Sequence, residues 1–223
     1  MIKANKISKS FIRTKGESNI FYAVNEMDLE IEDGNFIIII GKSGSGKTTL
    51  INMLSGLLTP SSGNVLINDT DIYSLNDKNR SLFRNKNIGF IPQGQTGLQN
   101  LTILENILLP TLIYEKEDKK DLAIKLLNDL DIIDLKDSYP NELSGGELRR
   151  MAIARSIIMN PSIIFADEPT GDLDEANTKI VLDILRKLAN SGKTIIMVTH
   201  DKDAISYADI IYKMENGIIK KCC

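Results

Sequence analysis

The segment Gly41-Lys42-Ser43-Gly44-Ser45-Gly46-Lys47-Thr48 has the spacing Gly-x4-Gly-Lys-Thr. Glycines there let successive backbone N–H groups curl around phosphate oxygens, and a helix starting at the end of the loop adds positive potential. Lys47 is placed to reach β- and γ-phosphates, and the Thr48 hydroxyl to ligate Mg²⁺. A second candidate group lies far along the chain, where Ile163-Ile164-Phe165-Ala166 runs into Asp167 and Glu168. Consecutive strand side chains point to opposite faces, so the two acids are expected to divide the labour. Asp167 suits the cation, and Glu168 suits positioning or deprotonating an attacking water.

These groups need an α/β framework to hold them. Phe36-Ile37-Ile38-Ile39-Ile40 is a continuous apolar run, as a strand covered on both faces should be, and it leads through the glycine loop into a helix reaching about Leu57. Residues 162–166 and 194–199 are two more such runs. Between them an amphipathic helix is predicted over about 174–189, with Ile180, Val181, Ile184, Leu185 and Leu188 on one side and Gly192 as its stop. Residues 2–31 read as short strands around a polar tip at 14–18, and residues 210–220 as a hairpin turning at Glu215-Asn216-Gly217. Residues 95–143 turn helical, with Leu122, Ile124, Leu126, Leu127 and Leu130 suited to packing and Pro110 and Pro140 as punctuation. The expectation is one α/β domain over 1–223. Its mainly parallel core comprises 1–93 and 160–223, with an antiparallel β subdomain at the N-terminus and a helical subdomain inserted at about 94–159.

Composition removes several other classes. The 223 residues carry 27 Lys+Arg against 30 Asp+Glu, a net charge of −3, which disfavours a nucleic-acid grip. Cys222 and Cys223 are adjacent and cannot staple a fold, so the compartment reads as reducing and cytosolic. The longest apolar runs are strand-sized rather than bilayer-sized, and Lys3, Asn5 and Lys6 interrupt any signal-peptide core.

Further motifs carry a family resemblance. Leu143-Ser144-Gly145-Gly146-Glu147 resembles the LSGGQ signature of ATP-binding-cassette (ABC) ATPases, and residues 149–155 look like its continuation. Gln93 in Ile91-Pro92-Gln93 is similar to the Q-loop, Gly171-Asp172-Leu173-Asp174 to the D-loop, and Val198-Thr199-His200-Asp201 to the switch-histidine segment. The resemblance spans essentially the whole chain. It implies ATP and Mg²⁺ as cofactors and a P-loop ATPase core, with Gly41, Lys42, Ser43, Gly44, Ser45, Gly46, Lys47, Thr48 and Thr49 around the phosphates. It implies Thr48, Gln93 and Asp167 at the metal, and Glu168, Gln93 and His200 in hydrolysis. Phe11 matches the aromatic that stacks on adenine, with Tyr22 as its rival. The resemblance further implies a head-to-tail homodimer, in which Ser144, Gly145, Gly146 and Glu147 of one copy close over the ATP of the other. A helix from about Glu147 to Met159 would point its N-terminus at that γ-phosphate.

Within the family the chain is similar to the bacterial group of macrolide exporters, lipoprotein-release systems and bacitracin-type resistance transporters. Three departures stand out: Glu147 replaces the usual Gln, Asp172 the usual Asn, and Gly94-Gln95-Thr96-Gly97 is unusually polar. Ser144-x-x-Glu147 is also a helix capping box. The implied partner is a separate integral-membrane permease docking near residues 93–106, which would hold the chain on the inner face of the plasma membrane. The implied function is an ATPase subunit powering export or mechanical work outside the membrane. The alternative is the ATPase of a cell-division-type complex that controls cell-wall hydrolases. The stretch from Thr48 to Leu143 is too short for the coiled coil of a DNA-repair member.

Overall fold

A computed structural model of the chain describes residues 1–12, 20–94, 97–114 and 118–222. The polar tip at 14–18, Gln95 and Thr96 of the polar stretch, and Cys223 lie outside the described residues.

Two sheets form the scaffold. The first has the order β2-β1-β4-β5, built from β1 (Ile2–Ile12), β2 (Ile20–Ile31), β4 (Ser62–Ile67) and β5 (Thr70–Asp71), and its pairings are antiparallel. The strands expected to be short at the N-terminus are instead 11 and 12 residues long. Register shifts between Ala4 and Ser10, with Lys6 at φ 47°, bend the first strand so that one long ribbon can serve two surroundings.

The second sheet has the order β10-β9-β3-β8-β7-β6. It contains β3 (Phe36–Ile40), β6 (Ile88–Ile91), β7 (Ile163–Asp167), β8 (Thr194–Thr199), β9 (Ile210–Glu215) and β10 (Ile218–Lys221). All its pairings are parallel except that of β9 with β10. Every residue of β7 and β8 is buried, as expected of strands covered on both faces.

Helices cover these faces. They are α1 (Lys47–Leu54), α2 (Asp77–Asn87), α3 (Ile103–Tyr114), α4 (Lys120–Asp129), α5 (Gly145–Ile157) and α6 (Glu175–Asn190). Helix α1 stops at Leu54, short of Leu57, because Gly56 at φ 74° supplies the left-handed residue that ends a helix. Pro110 sits inside α3 and does not end it. It forfeits one backbone bond, and the full burial of Ile103 and Ile107 holds the helix together. On α6 Val181 and Leu185 are buried as expected and Ile184 and Leu188 are half-buried against the same cluster, while Leu182 and Ala189 extend the buried face and Ile180 is exposed. On α4 the buried residues are Ala123 and Leu127, while Leu122 faces solvent.

Three apolar clusters result. One joins α1 and the antiparallel sheet to one face of the parallel sheet, a second joins α5 and α6 to its other face, and a third unites α3, α4 and α5. The second and third share α5, so any group on that helix is tied to both layers. The C-terminal ends of β3, β6, β7 and β8 lie along one edge, and the chemistry-bearing segments leave from there.

Candidate functional site

Where β3 ends, the chain turns through residues 41–46 into α1. Gly46 takes φ 103° at the helix N-cap, and no side chain caps this end. By contrast Asn76, Ser144 and Asp174 cap α2, α5 and α6. The first N–H groups of α1 are therefore open to an anion. A cavity of about 570 Å³ faces them, lined by Ser43, Gly44, Gly46, Lys47, Thr48 and Thr49 from the loop side. Gly41, Lys42 and Ser45 are not part of that lining. The carbonyls of Gly41 and Lys42 accept from Lys47 Nζ at 2.8 and 3.1 Å, and Ser45 is buried with its hydroxyl unpartnered among the described residues.

Lys47 is only 6% exposed, and its Nζ lies 3.8 Å from Glu168 Oε1. The opposite wall of the cavity is Glu168, His200 and Gln93. Asp167 ends β7 and accepts a 3.1 Å hydrogen bond from Thr48 Oγ1. Burial pushes the Asp167 carboxyl above its ordinary range; the Thr48 bond opposes this, Glu168 adds to it and Lys47 counters it. The two acids do diverge, although strand alternation is not the reason. β7 stops at Asp167, and Glu168 takes a left-handed φ of 46°, which swings its side chain toward His200. Glu168 Oε2 lies 3.0 Å from His200 Nδ1 and accepts from the His200 backbone N–H at 3.3 Å.

These residues meet a simple test for Mg²⁺. Thr48 and Asp167 present two hard oxygens side by side. Among the described residues no cluster of three or more His, Cys, Asp or Glu could hold a metal ion by itself. A cation here must therefore complete its shell from phosphate oxygens and water, as Mg²⁺ does with nucleotides.

The cavity is closed at its apolar end by Phe11 and Phe21, which face each other across β1 and β2. Tyr22 pairs with Ser10 and is absent from the lining. Phe21 is thus the second aromatic, missed from sequence; the cross-strand register opposite Phe11 was the signal.

Ser144, Gly145, Gly146 and Glu147 are outside this cavity. The two glycines lie within the first turn of α5, not before a helix at Glu147. A Cβ on Gly146 would come within 2.2 Å of Asn177 Oδ1, so any larger residue there would have to push the Asn177 side chain of α6 aside. Glu147 Oε2 accepts from the Ser144 N–H and hydroxyl, both at 2.7 Å, and these bonds hold its carboxyl below the ordinary range. One further residue escaped sequence reasoning. Arg149, 6% exposed, donates to the Pro92 carbonyl at 2.8 Å, next to Gln93. Its neighbour Arg150 shares its type, and only α5 packing tells which one turns inward.

The family model for ABC transporters matches residues 24–171. The chain is 46% identical over 199 residues to the lipoprotein-releasing system ATP-binding protein LolD of Leptospira interrogans, covering 87% of this chain and 81% of the relative. It is 41% identical over 213 residues to the macrolide export ATP-binding/permease protein MacB of Campylobacter jejuni, covering 95% of this chain and 33% of that longer protein. Among solved structures, the dimeric post-hydrolysis state of the ATP-binding cassette MJ0796 bound to ADP and Pi superimposes with a TM-score of 0.90 at 32% identity. That match covers 99% of this chain and 98% of the other. Sequence, fold and site agree that the chain belongs to the ABC transporter family and is an ABC ATPase, the ATP-binding subunit of a transporter.

Proposed function

We propose that this chain hydrolyses Mg²⁺-ATP at the cavity between α1 and the β7 and β8 ends, as a homodimer that drives a separate membrane permease in export or in mechanical work outside the membrane. The observation that carries the proposal is the uncapped N-terminus of α1, which meets buried Lys47 and the Glu168–His200 pair in one cavity.

The residues act as follows. Lys47 and the first amides of α1 bind and orient the phosphates, and Phe11 with Phe21 gives the base an apolar platform. Glu168 accepts the proton of the attacking water, and the contact from His200 fixes the direction of its carboxylate. Thr48 and Asp167, with Gln93 at the rim, would hold Mg²⁺, which neutralises phosphate charge when bound. The signature residues 144–147 sit away from this cavity, which supports their serving the nucleotide of a second copy, and the MJ0796 cassette is dimeric.

The permease reading rests on a second groove of about 410 Å³ between the sheet core and the helices near residues 94–159. Leu57, Leu98, Leu109, Pro110 and Ile113 line it, and Arg84 and Arg155 lie among them. Among the described residues no helix is long and apolar enough to cross a membrane, so anchoring at the inner membrane face would come through this groove. LolD belongs to a lipoprotein-releasing system and MacB to macrolide export, which supports work of that kind.

Glu168→Gln tests the catalytic assignment. The variant should bind ATP, accumulate as an ATP-bound dimer on size exclusion, and hydrolyse ATP about 10²- to 10⁴-fold more slowly. Turnover near the wild-type rate with permease present would show that Glu168 is not the base.

A further inference from the structure

The phosphate loop is held from behind by the turn of the β9–β10 hairpin. Ideal Cβ atoms on Gly41 and Gly46 would lie 2.4 Å from the Met214 carbonyl and 2.2 Å from the Ala23 carbonyl, so backbone from β9 and β2 packs directly on the loop. Between those strands sits Gly217. Its N–H donates to the Ser45 carbonyl at 3.0 Å, and its carbonyl accepts from the Asn25 N–H at 2.9 Å. Asn25 Nδ2 also donates to the Asn216 carbonyl at 2.8 Å. Asn216 and Gly217 have φ of 48° and 76°, the two left-handed residues of a tight hairpin turn.

Peptide geometry gives this contact a directional effect. A trans peptide is planar with its C=O and N–H antiparallel. When Gly217 fixes the Ser45 carbonyl on the hairpin side, the Gly46 N–H of the same peptide must point the other way. Gly46 lines the cavity on that other side.

We propose that Gly217 is a positioning residue for phosphate binding: the hairpin turn aims the Ser45–Gly46 peptide so that its N–H meets a nucleotide phosphate. This deepens, and rests on, the reading of residues 41–48 as the phosphate site. The turn belongs to the last strands of the parallel sheet, so the loop's conformation depends on chain about 170 residues downstream.

Gly217→Ala is the direct test. The new Cβ would lie 3.0 Å from both the Ala23 carbonyl and Asn25 Nδ2, at a φ that alanine resists, so the turn and β2 must shift apart by a few tenths of an ångström and the Gly217–Ser45 bond is strained. Gly192→Ala is the control, with a φ of 93°, open space around its Cβ and a position beyond α6, away from the loop. Mg²⁺-ATP affinity by calorimetry, thermal midpoint, and KM and kcat of the full chain should be compared. Gly217→Ala should raise Kd and KM about fivefold with kcat within twofold, whereas Gly192→Ala should lose a similar thermal midpoint and keep its affinity. Asn25→Ala, which removes only the bond to Asn216, should weaken ATP about twofold and serves if Gly217→Ala does not fold.

Unchanged affinity in Gly217→Ala, or in Asn25→Ala where it replaces it, would overturn the proposal, as would equal weakening by Gly192→Ala. Wild-type protein that fails to bind ATP would overturn the phosphate-site reading and this inference with it. Wild-type binding alongside an indifferent Gly217→Ala overturns the role of the hairpin alone.

Discussion

Glu147 uses both Ser144 donors, the backbone N–H and the hydroxyl, and it places a carboxylate at the N-terminus of α5. If Ser144 serves a second copy's γ-phosphate, that phosphate must take the hydroxyl from a like-charged neighbour. Glu147→Gln keeps the capping geometry and removes the charge, so ATP-driven dimerisation should tighten roughly twofold to fivefold. Analytical ultracentrifugation with ATP checks this, and loss of the dimer would refute it. Lys47→Ala should fail at nucleotide binding, because a buried cation facing the cavity is removed; equilibrium dialysis with ATP tests this directly. Motif spacing pointed to Lys47, Thr48, Asp167 and Glu168 as one site, and the family resemblance alone added His200 to it. Neither could show that Glu168 leaves the strand at positive φ, or that Phe21 rather than Tyr22 shares the cavity with Phe11, because both facts depend on backbone turn and register.

At the scale of elements, apolar periodicity located β3, β7, β8 and α6 to within a residue or two, because burial on both faces or on one face leaves a clear pattern. The errors fell where a local signal met tertiary packing. Pro110 reads as a break, and helix α3 overrides it with fully buried isoleucines. On α6 the stripe loses only Ile180 and gains Leu182 and Ala189, because its buried side is set by α5 and β8. Strand β7 carries Asp167 and buries Phe165 completely. Phe165→Ala should cost about 3–5 kcal/mol in urea unfolding, with Asp167 and the adjoining Glu168 loosened as a consequence. The cap of α5 also predicts a pH response. The Glu147 carboxyl lies below its ordinary range when folded, so its support is complete at neutral pH and fades as pH falls through that lowered value. Amide exchange in the first turn of α5, measured across pH 3–6 and corrected for intrinsic rates, should show protection falling only at the acid end.

For the whole molecule, the site and the proposed permease groove share no lining residue and are joined through chain and polar links. Arg149 is one of them, running from α5 to the Pro92 carbonyl beside Gln93. Ile113, 60% exposed on α3, is an apolar residue of the groove that the fold itself does not require. Ile113→Lys should leave the thermal midpoint and basal ATPase rate unchanged and abolish co-purification with the membrane permease. Retained co-purification would place the docking surface elsewhere. The helical region was legible from its apolar pattern, and the family resemblance implied a docking groove beside it near residues 93–106, but the groove's lining was not legible, because it depends on how α2, α3 and α5 lean together.

The strand order has a consequence for how the protein is made. Strand β3 lies between β8 and β9, so both of its hydrogen-bonding edges are filled by residues 194–215. During synthesis its five apolar residues emerge early and wait for more than 150 further residues before either neighbour exists. An unpaired strand of that composition is a template for adhesion between nascent chains. Protection of β3 by the ribosome-bound folding machinery, more than the final stability of the sheet, is therefore expected to limit the yield of soluble protein.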